Sequence, residues 1–108
     1  MSGNPYLLYG HPLTRSKLVE HVLVELDVAF EARLIDPFVG AHRTPELLAI
    51  NPTGWIPVLV TPDGEIIAET AAINLTLAER YPDAHLVPPV SDPDRAKFLS
   101  TYFYITGM

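Results

Sequence analysis

Two pairs of residues, each at a predicted helix start, could bind or stabilise an anion. Thr14 and Ser16 lie at the start of the first predicted helix, and Glu69 and Thr70 open the third. The unpaired amides of a helix N-terminus favour a negative charge by roughly 0.3–1 kcal/mol, and a hydroxyl group there adds a hydrogen-bond donor. These residue types also serve as ordinary helix caps. The pattern therefore predicts either an anion site or simple capping.

Pro57 immediately precedes a predicted strand, a position where its missing N–H does not interrupt the ladder of hydrogen bonds. A cis Ile56–Pro57 bond would turn the main chain of Ile56 outward. Its N–H and C=O groups would then be free to pair with an extended peptide. Most X–Pro bonds are trans, so these residues alone favour an ordinary strand start. Both alternatives stay open on the local sequence.

The apolar pattern predicts the strands and helices on which these residues lie. Residues 6–9 form a short apolar run closed by Gly10, which is typical of a buried strand. Apolar residues then recur at helical spacing from 18 to 26, with Thr14 or Ser16 as the expected cap. Residues 30–35 resemble a second strand. Two strands separated by one helix predict a right-handed βαβ unit with parallel strands.

The middle of the chain predicts two more helices and a hairpin. Thr44-Pro45 is a helix-start signal for a short helix that ends before Asn51. Residues 58–61 and 65–68 form a β-hairpin across a proline–aspartate–glycine turn. A third helix is expected from 69 to 81.

The last part of the chain predicts a connector and one further helix. Residues 82–93 contain four prolines and no periodicity. An aromatic helix follows and stops at Gly107-Met108. We expect this helix to have no partner within the chain, so that its aromatic face meets a second subunit or another domain.

Composition excludes several classes of function. The chain has 108 residues, a formal net charge of −6, 48% hydrophobic residues and no cysteine. The length fits one compact domain, and the charge argues against binding to nucleic acid or to an anionic membrane. Without cysteine the chain cannot be a disulfide scaffold, a thiolate metal site or a dithiol oxidoreductase. The absence of a signal sequence or apolar span predicts a cytoplasmic location, and no histidine or carboxylate set predicts a metal site.

The chain resembles the N-terminal domain of cytosolic glutathione transferases. The resemblance covers about residues 5–90. It lies in the element order, in Asn-Pro-x-Gly-x-Ile-Pro at residues 51–57, and in Glu-Thr-x-Ala-Ile at residues 69–73. It implies an α/β, thioredoxin-like fold, βαβ-α-ββα, with a four-stranded mixed sheet plus one extra C-terminal helix.

The resemblance also implies a division of the chain. Residues 1–82 would be the thioredoxin-like glutathione-binding domain, and residues 83–93 a proline-rich linker. Residues 94–108 would be the first helix of an all-helical second domain, most of which the chain lacks.

The resemblance assigns a glutathione site. In the family the proline equivalent to Pro57 is cis, and the main chain of Ile56 would pair with the extended tripeptide. Thr70 would hold the γ-glutamyl carboxylate through its hydroxyl and amide groups, and Glu69 would take the ammonium group.

A basic pair is expected at the other end of glutathione. His42-Arg43-Thr44-Pro45-Glu46 resembles the His-Lys-Ser-Pro-Glu stretch of the plant phi class, where the basic pair lies near the glycine carboxylate. A planar guanidinium suits a carboxylate, although both side chains could simply be solvated. Trp55 replaces a glutamine that binds glutathione in that class. Because an indole N–H donates but cannot accept, this contact is expected to be lost or altered.

Three hydroxyl groups could activate the thiol of glutathione. Thr14 occupies the position where phi-like sequences carry a serine between the first strand and the first helix. Tyr9 falls where tyrosine-type transferases carry their phenol. Ser16 is the third candidate, expected in the first helical turn and facing solvent. The alternative roles are helix capping for Thr14 or Ser16 and strand packing for Tyr9.

The predicted function is a glutathione transferase, or its glutathione-binding half. It would bind reduced glutathione as co-substrate, stabilise the thiolate and promote attack on a small electrophile, as in detoxification. Relatives are dimers, so a homodimer is expected, with no nucleic acid, membrane or metal partner. The alternative is a non-catalytic module of the same fold that binds a ligand or dimerises.

Overall fold

A computed structural model describes residues 3–107, so the predicted limits at Met1 and Met108 lie outside the described residues. Its strands and α-helices, in chain order, are β1 (Tyr6–Gly10), α1 (Ser16–Glu25), β2 (Phe30–Leu34), α2 (Pro45–Ile50), β3 (Val58–Val60), β4 (Ile66–Ala68), α3 (Thr70–Arg80) and α4 (Arg95–Thr106). This order confirms the predicted α/β fold with one additional C-terminal helix. None of the helices within the described range has the length and apolar character needed to cross a membrane.

The four strands form one mixed sheet in the order β2-β1-β3-β4. β1 and β2 are parallel, whereas β3 is antiparallel to both β1 and β4. Val58, at the start of β3, lies opposite Tyr9 on one side and Ala68 on the other. This register brings the loop before β3, the end of β1 and the start of α3 to the same edge of the sheet.

The core lies between the sheet and the helices α1 and α3. β1 alternates between buried and half-buried residues, with Tyr6, Leu8 and Gly10 on the helix-covered face. The helices contribute apolar residues at helical spacing, as their sequences predict. The fully buried members of this cluster are Val19, Leu23, Leu59, Ile73 and Leu77.

The start of α1 differs from the prediction. The residue before the helix is Arg15, and it makes no side-chain cap hydrogen bond. The expectation that Thr14 or Ser16 occupies the N-cap position of α1 is therefore wrong, although Thr14 Oγ1 accepts from the first helical amide, that of Ser16, at 3.2 Å. Ser16 is the first helical residue and is only 4% exposed, so the expectation that it faces solvent is also wrong. The helix begins with this side chain turned toward Gly10.

The last helix does have partners within the chain, contrary to the prediction. The Tyr102 hydroxyl donates to the Ala71 carbonyl oxygen at 2.6 Å, and Arg95 pairs with Glu79 at 2.7 Å. Both contacts fasten α4 to α3. Partial burial raises the pKa of Tyr102. Part of the aromatic surface still faces outward, since Tyr104 is 71% exposed.

Candidate functional site

A cleft of about 670 Å³ lies at the sheet edge where the loop before β3 meets the start of α3. Trp55, Ile56 and Pro57 line it from the loop, and Glu69 and Thr70 line it from the helix start. The sheet register therefore gathers five of the sequence-predicted site residues around one cavity. The C-terminal end of α4 forms a further part of the lining.

The start of α3 presents hydrogen-bond donors to the cleft. Thr70, Ala71 and Ala72 all line it and occupy the first turn of the helix, where amides have no acceptor within the helix. Thr70 is 7% exposed, and within residues 3–107 its hydroxyl group makes no hydrogen bond. An unpaired hydroxyl group beside unpaired amides suits a carboxylate ligand.

Glu69 occupies an unusual backbone conformation at the same helix start. Its φ is 76° and its ψ is 120°, in a region that residues other than glycine rarely adopt. Such a conformation costs on the order of 1–3 kcal/mol and is frequent at functional sites. Glu69 makes no cap hydrogen bond with its side chain, which is exposed at the cleft. Glu69 therefore occupies the N-cap position of α3 and accepts from the Ile73 amide through its carbonyl oxygen, but it does not cap the helix with its side chain.

The loop before β3 is held by a buried asparagine. The Asn51 side-chain amide donates to the Trp55 carbonyl oxygen at 2.9 Å, and its Oδ1 accepts from the Thr53 hydroxyl at 2.9 Å. Its own carbonyl oxygen accepts from the Gly54 amide. Asn51 is 6% exposed and lines the cleft. One side chain thus fixes the main chain that leads into Ile56.

The Ile56–Pro57 peptide bond is cis. Pro57 is buried, and Val58 follows as the first residue of β3. Within the described part of the chain, the N–H and C=O groups of Ile56 make no hydrogen bond. Since Ile56 lines the cleft, both groups are available to a ligand there.

The predicted basic pair lies beside the cleft rather than in its lining. The Arg43 guanidinium stands over the Trp55 ring, 5.7 Å from its centroid, and the His42 ring lies 6.5 Å from the same ring. Nδ1 of His42 is buried and makes no hydrogen bond with the described residues. Trp55 thus lines the cleft and also lies beside both basic side chains.

The loop between β1 and α1 contains a closed ring of hydrogen bonds. The His11 amide donates to Ser16 Oγ at 3.1 Å, and the Thr14 hydroxyl donates to the His11 carbonyl oxygen at 2.7 Å. The two hydroxyl oxygens are 2.7 Å apart. Since Thr14 has only one hydroxyl proton, Ser16 must be the donor between them. The Ser16 amide also donates to Thr14 Oγ1 at 3.2 Å.

The three candidate thiol-activating hydroxyl groups occupy different environments. Thr14 and Ser16 belong to the ring just described, beside the cleft residue Arg15. Tyr9 is half-buried in β1, on the opposite face of the sheet from Leu8. None of the three hydroxyl-bearing residues belongs to the lining of the cleft.

Arg15 and Asn51 are among the lining residues to which the sequence analysis gave no role. Arg15, beside Thr14, lines the cleft and donates to the Thr106 carbonyl oxygen at the end of α4. Asn51 stood inside the quoted motif but was given no role. Its position two residues before Thr53 is the sequence signal of an Asx turn, which could have marked it.

No group of three or more histidine, aspartate or glutamate side chains within residues 3–107 is arranged to hold a metal ion. The charged groups of the cleft are instead a guanidinium from Arg15 and a carboxylate from Glu69. Such a lining suits an organic ligand that carries charges of both signs.

Comparison with known proteins gives concordant matches. The model of the glutathione S-transferase N-terminal domain matches residues 16–80, more than half of the chain. Glutathione S-transferase 3 of Zea mays is 44% identical over 78 residues, which are 71% of this chain and 35% of that protein.

Two solved structures superimpose over nearly the whole chain. A glutathione transferase homologue from Sulfitobacter with bound glutathione has a TM-score of 0.86 and 31% identity. The match covers 96% of this chain and 50% of that one. Ure2p in complex with glutathione has a TM-score of 0.84 and 28% identity, covering 95% and 49%.

These relatives are longer than this chain, which spans about a third of the maize protein and about half of the solved structures. The fold of the matched part is the thioredoxin-like fold of that domain, as predicted. The family model, the maize relative and the superposed structures agree with one another and with the sequence motifs. The chain belongs to the glutathione S-transferase family and contains its N-terminal domain.

Proposed function

We propose that the cleft binds reduced glutathione, with the γ-glutamyl end at the start of α3. The observation that carries this proposal is the shared position of the Thr70 hydroxyl and the main chain of Ile56 on one cleft. The Thr70 hydroxyl and first-turn amides would bind the γ-glutamyl carboxylate. Glu69 would bind the ammonium group, and the strained backbone there supports a functional role.

The cysteinyl part of glutathione would lie along Ile56. Its main chain would form two hydrogen bonds with the N–H and C=O groups of Ile56, as in the addition of a strand. Both groups are without a partner in the described chain, which supports this placement. Asn51 would keep the loop in the conformation that the ligand requires.

The glycine carboxylate would lie toward Trp55, His42 and Arg43. A guanidinium and an imidazole near one carboxylate offer charge-assisted hydrogen bonds. The contact between Arg43 and the Trp55 ring supports a role for the indole in orienting the guanidinium. The indole N–H can add one donor of its own.

Thr14 is our proposed donor to the thiolate, with Tyr9 and Ser16 as alternatives. A free cysteine thiol titrates near 8.5, so lowering its pKa by about two units needs about 2.7 kcal/mol of preferential thiolate stabilisation. A hydroxyl donor at a helix start supplies part of it without a base. The position of Thr14 one residue before the cleft residue Arg15 supports this choice.

The whole protein would then be a transferase that joins glutathione to a small electrophile. Holding both reactants together supplies a proximity contribution to the rate. The exposed aromatic residues of α4, Phe103 and Tyr104, support a homodimer or contact with a further domain. The division at residues 83–93, the detoxification role and the cytoplasmic location stay predictions.

A second candidate is a binding module without catalysis. One observation favours it: the Thr14 hydroxyl proton is directed to the His11 carbonyl oxygen and not toward the cleft. In such a module glutathione would bind while its thiol stayed protonated. The two candidates therefore differ in the ionisation of the bound thiol.

Calorimetric titration with reduced glutathione tests the proposed site. A hydrogen bond to a charged group contributes about 1.5–3 kcal/mol, so Thr70→Val should weaken binding about tenfold or more. Thr101→Val, on the exposed part of α4, is the matched control and should bind like the wild type. Equal affinity of the two variants would refute the site. Thiolate absorbance of the bound ligand near neutral pH then separates the enzyme from the binding module.

A further inference from the structure

We infer that Ser16 is a positioning residue that holds the Thr14 hydroxyl and strengthens it as a donor, an inference that depends on the proposed role of Thr14. Ser16 is 4% exposed and has both hydrogen-bonding functions of its hydroxyl engaged. Its Oγ accepts from the His11 amide, and its proton goes to Thr14 Oγ1. A buried side chain with this pattern belongs to a defined network rather than to the helix surface.

The position of the Ser16 side chain depends on the absence of a side chain at Gly10. A Cβ placed on Gly10 would lie 2.2 Å from Ser16 Oγ and 2.4 Å from Ser16 Cβ. Every other residue type has a Cβ at position 10 and would overlap the Ser16 side chain. The end of β1 and the first residue of α1 are therefore packed in direct contact. This contact fixes the direction from which Ser16 reaches Thr14.

The Thr14 hydroxyl can donate to a different acceptor while the other hydrogen bonds of the ring remain. If the Thr14 hydroxyl turns from the His11 carbonyl oxygen to a thiolate, that carbonyl oxygen still accepts from the Thr14 amide at 3.0 Å. Ser16 continues to donate to Thr14 Oγ1 from both its hydroxyl and its amide. The rotation therefore leaves no buried donor or acceptor of the ring unsatisfied.

The two hydrogen bonds that Thr14 Oγ1 accepts also make the Thr14 hydroxyl a stronger donor. A hydroxyl that accepts a hydrogen bond is polarised, and each such bond strengthens its own donation by about 10–30%. Thr14 Oγ1 accepts two, both from Ser16. Removal of the Ser16 hydroxyl removes the shorter of them. The bound thiolate would then lose stabilisation although Ser16 does not touch it.

A purely structural role for Ser16 would have a different signature. It would lower the stability of the fold and the affinity for every glutathione derivative alike. The proposed role changes only the ionisation of the thiol. S-methylglutathione has no ionisable thiol and therefore reports the structural part alone.

The experiment is a pH titration of the thiolate absorbance of bound glutathione in five proteins. They are the wild type, Ser16→Ala, Thr14→Ala and the double variant, and Ser100→Ala on exposed α4 is the matched control. We expect Ser16→Ala to raise the thiol pKa by about half a unit and Thr14→Ala to raise it further. The double variant should match Thr14→Ala, and S-methylglutathione should bind Ser16→Ala as it binds the wild type.

Three other results would contradict the inference, and each leads to a different conclusion about Thr14 and Ser16. If Thr14→Ala raises the thiol pKa and Ser16→Ala does not, Thr14 keeps its role and Ser16 has none. If Ser16→Ala still has its effect without Thr14, Ser16 contacts the thiol itself. If neither variant changes the pKa, Thr14 is not the donor and the proposed thiol activation fails as well. Ser16→Gly replaces the alanine variant if that protein does not fold.

Discussion

The hydroxyl groups of Tyr6 and Tyr81 are 2.9 Å apart and join the first residue of β1 to the end of α3. Tyr6 is 5% exposed, and Tyr81 packs against the core from the position just after the helix. Burial of Tyr6 and this hydrogen bond raise the pKa of Tyr6 to about 12 from 10.0. The neutral phenol is therefore favoured in the folded chain more than in the unfolded one.

This pKa predicts a loss of stability in alkali. The contribution of Tyr6 is fully present below pH 10.0, its unfolded value, and is lost as the pH rises to about 12. A rise of this size corresponds to about 2–3 kcal/mol. The free energy of unfolding of the wild type should therefore fall over this range more steeply than that of Tyr6→Phe. Urea denaturation at several pH values measures the difference, and Tyr104→Phe, at an exposed position, should behave as the wild type.

Replacement of Gly10 by alanine should destabilise the chain. The added methyl group would overlap Ser16, which is fixed by the first turn of α1. Overpacking of this kind costs about 1–3 kcal/mol. Chemical denaturation gives the value, and Gly3→Ala is the control because nothing lies within 4 Å of that position. Equal stability of the two variants would mean that α1 can shift to admit the methyl group.

Asn51→Ala should reduce both stability and affinity for glutathione. It removes the donor to the Trp55 carbonyl oxygen and the acceptor for the Thr53 hydroxyl, two partly buried hydrogen bonds that contribute about 0.5–1.5 kcal/mol each. The loop before Ile56 would then lose its fixed conformation. Asn74→Ala is the comparison, since that side chain makes one bond, of 3.4 Å, to Leu18. A loss of affinity in both variants would indicate a general effect of unfolding.

Trp55 is the only tryptophan in the chain and lines the cleft. Its ring is 61% exposed and stands beneath Arg43, so a ligand that covers it should change its emission. We expect a saturable change in intrinsic fluorescence on addition of glutathione, with a midpoint equal to the calorimetric affinity. Thr70→Val should shift this midpoint to higher concentration. A signal that does not shift in this variant would place the ligand away from the start of α3.

The sequence predicted the parts of the fold that depend on local pattern. The apolar spacing of α1 located its buried residues, such as Leu23, and the start signal Thr44-Pro45 located α2, whose Thr44 hydroxyl caps the helix. Motifs located Glu69 and Thr70 at the start of α3, where the structure has them.

Properties that depend on distant contacts were not predictable in this way. The inward direction of Ser16 follows from the missing side chain at Gly10, which periodicity does not encode. The partner of α4 is a main-chain carbonyl of Ala71, and any residue type offers that acceptor. Arg15 lines the cleft because the first helix begins one residue after it, and cap patterns do not fix helix ends to that accuracy.

The end of α4 closes one side of the cleft, with Phe103 and Thr106 in the lining. A molecule in the cleft therefore touches a segment that Tyr102 and Arg95 secure to the rest of the chain. Because the two equilibria are linked, a ligand in the cleft must favour the packed position of α4 by the same factor by which packing of α4 raises the affinity for the ligand. Ligand binding in the cleft should thus slow amide hydrogen exchange along residues 95–106, including residues that do not line the cleft.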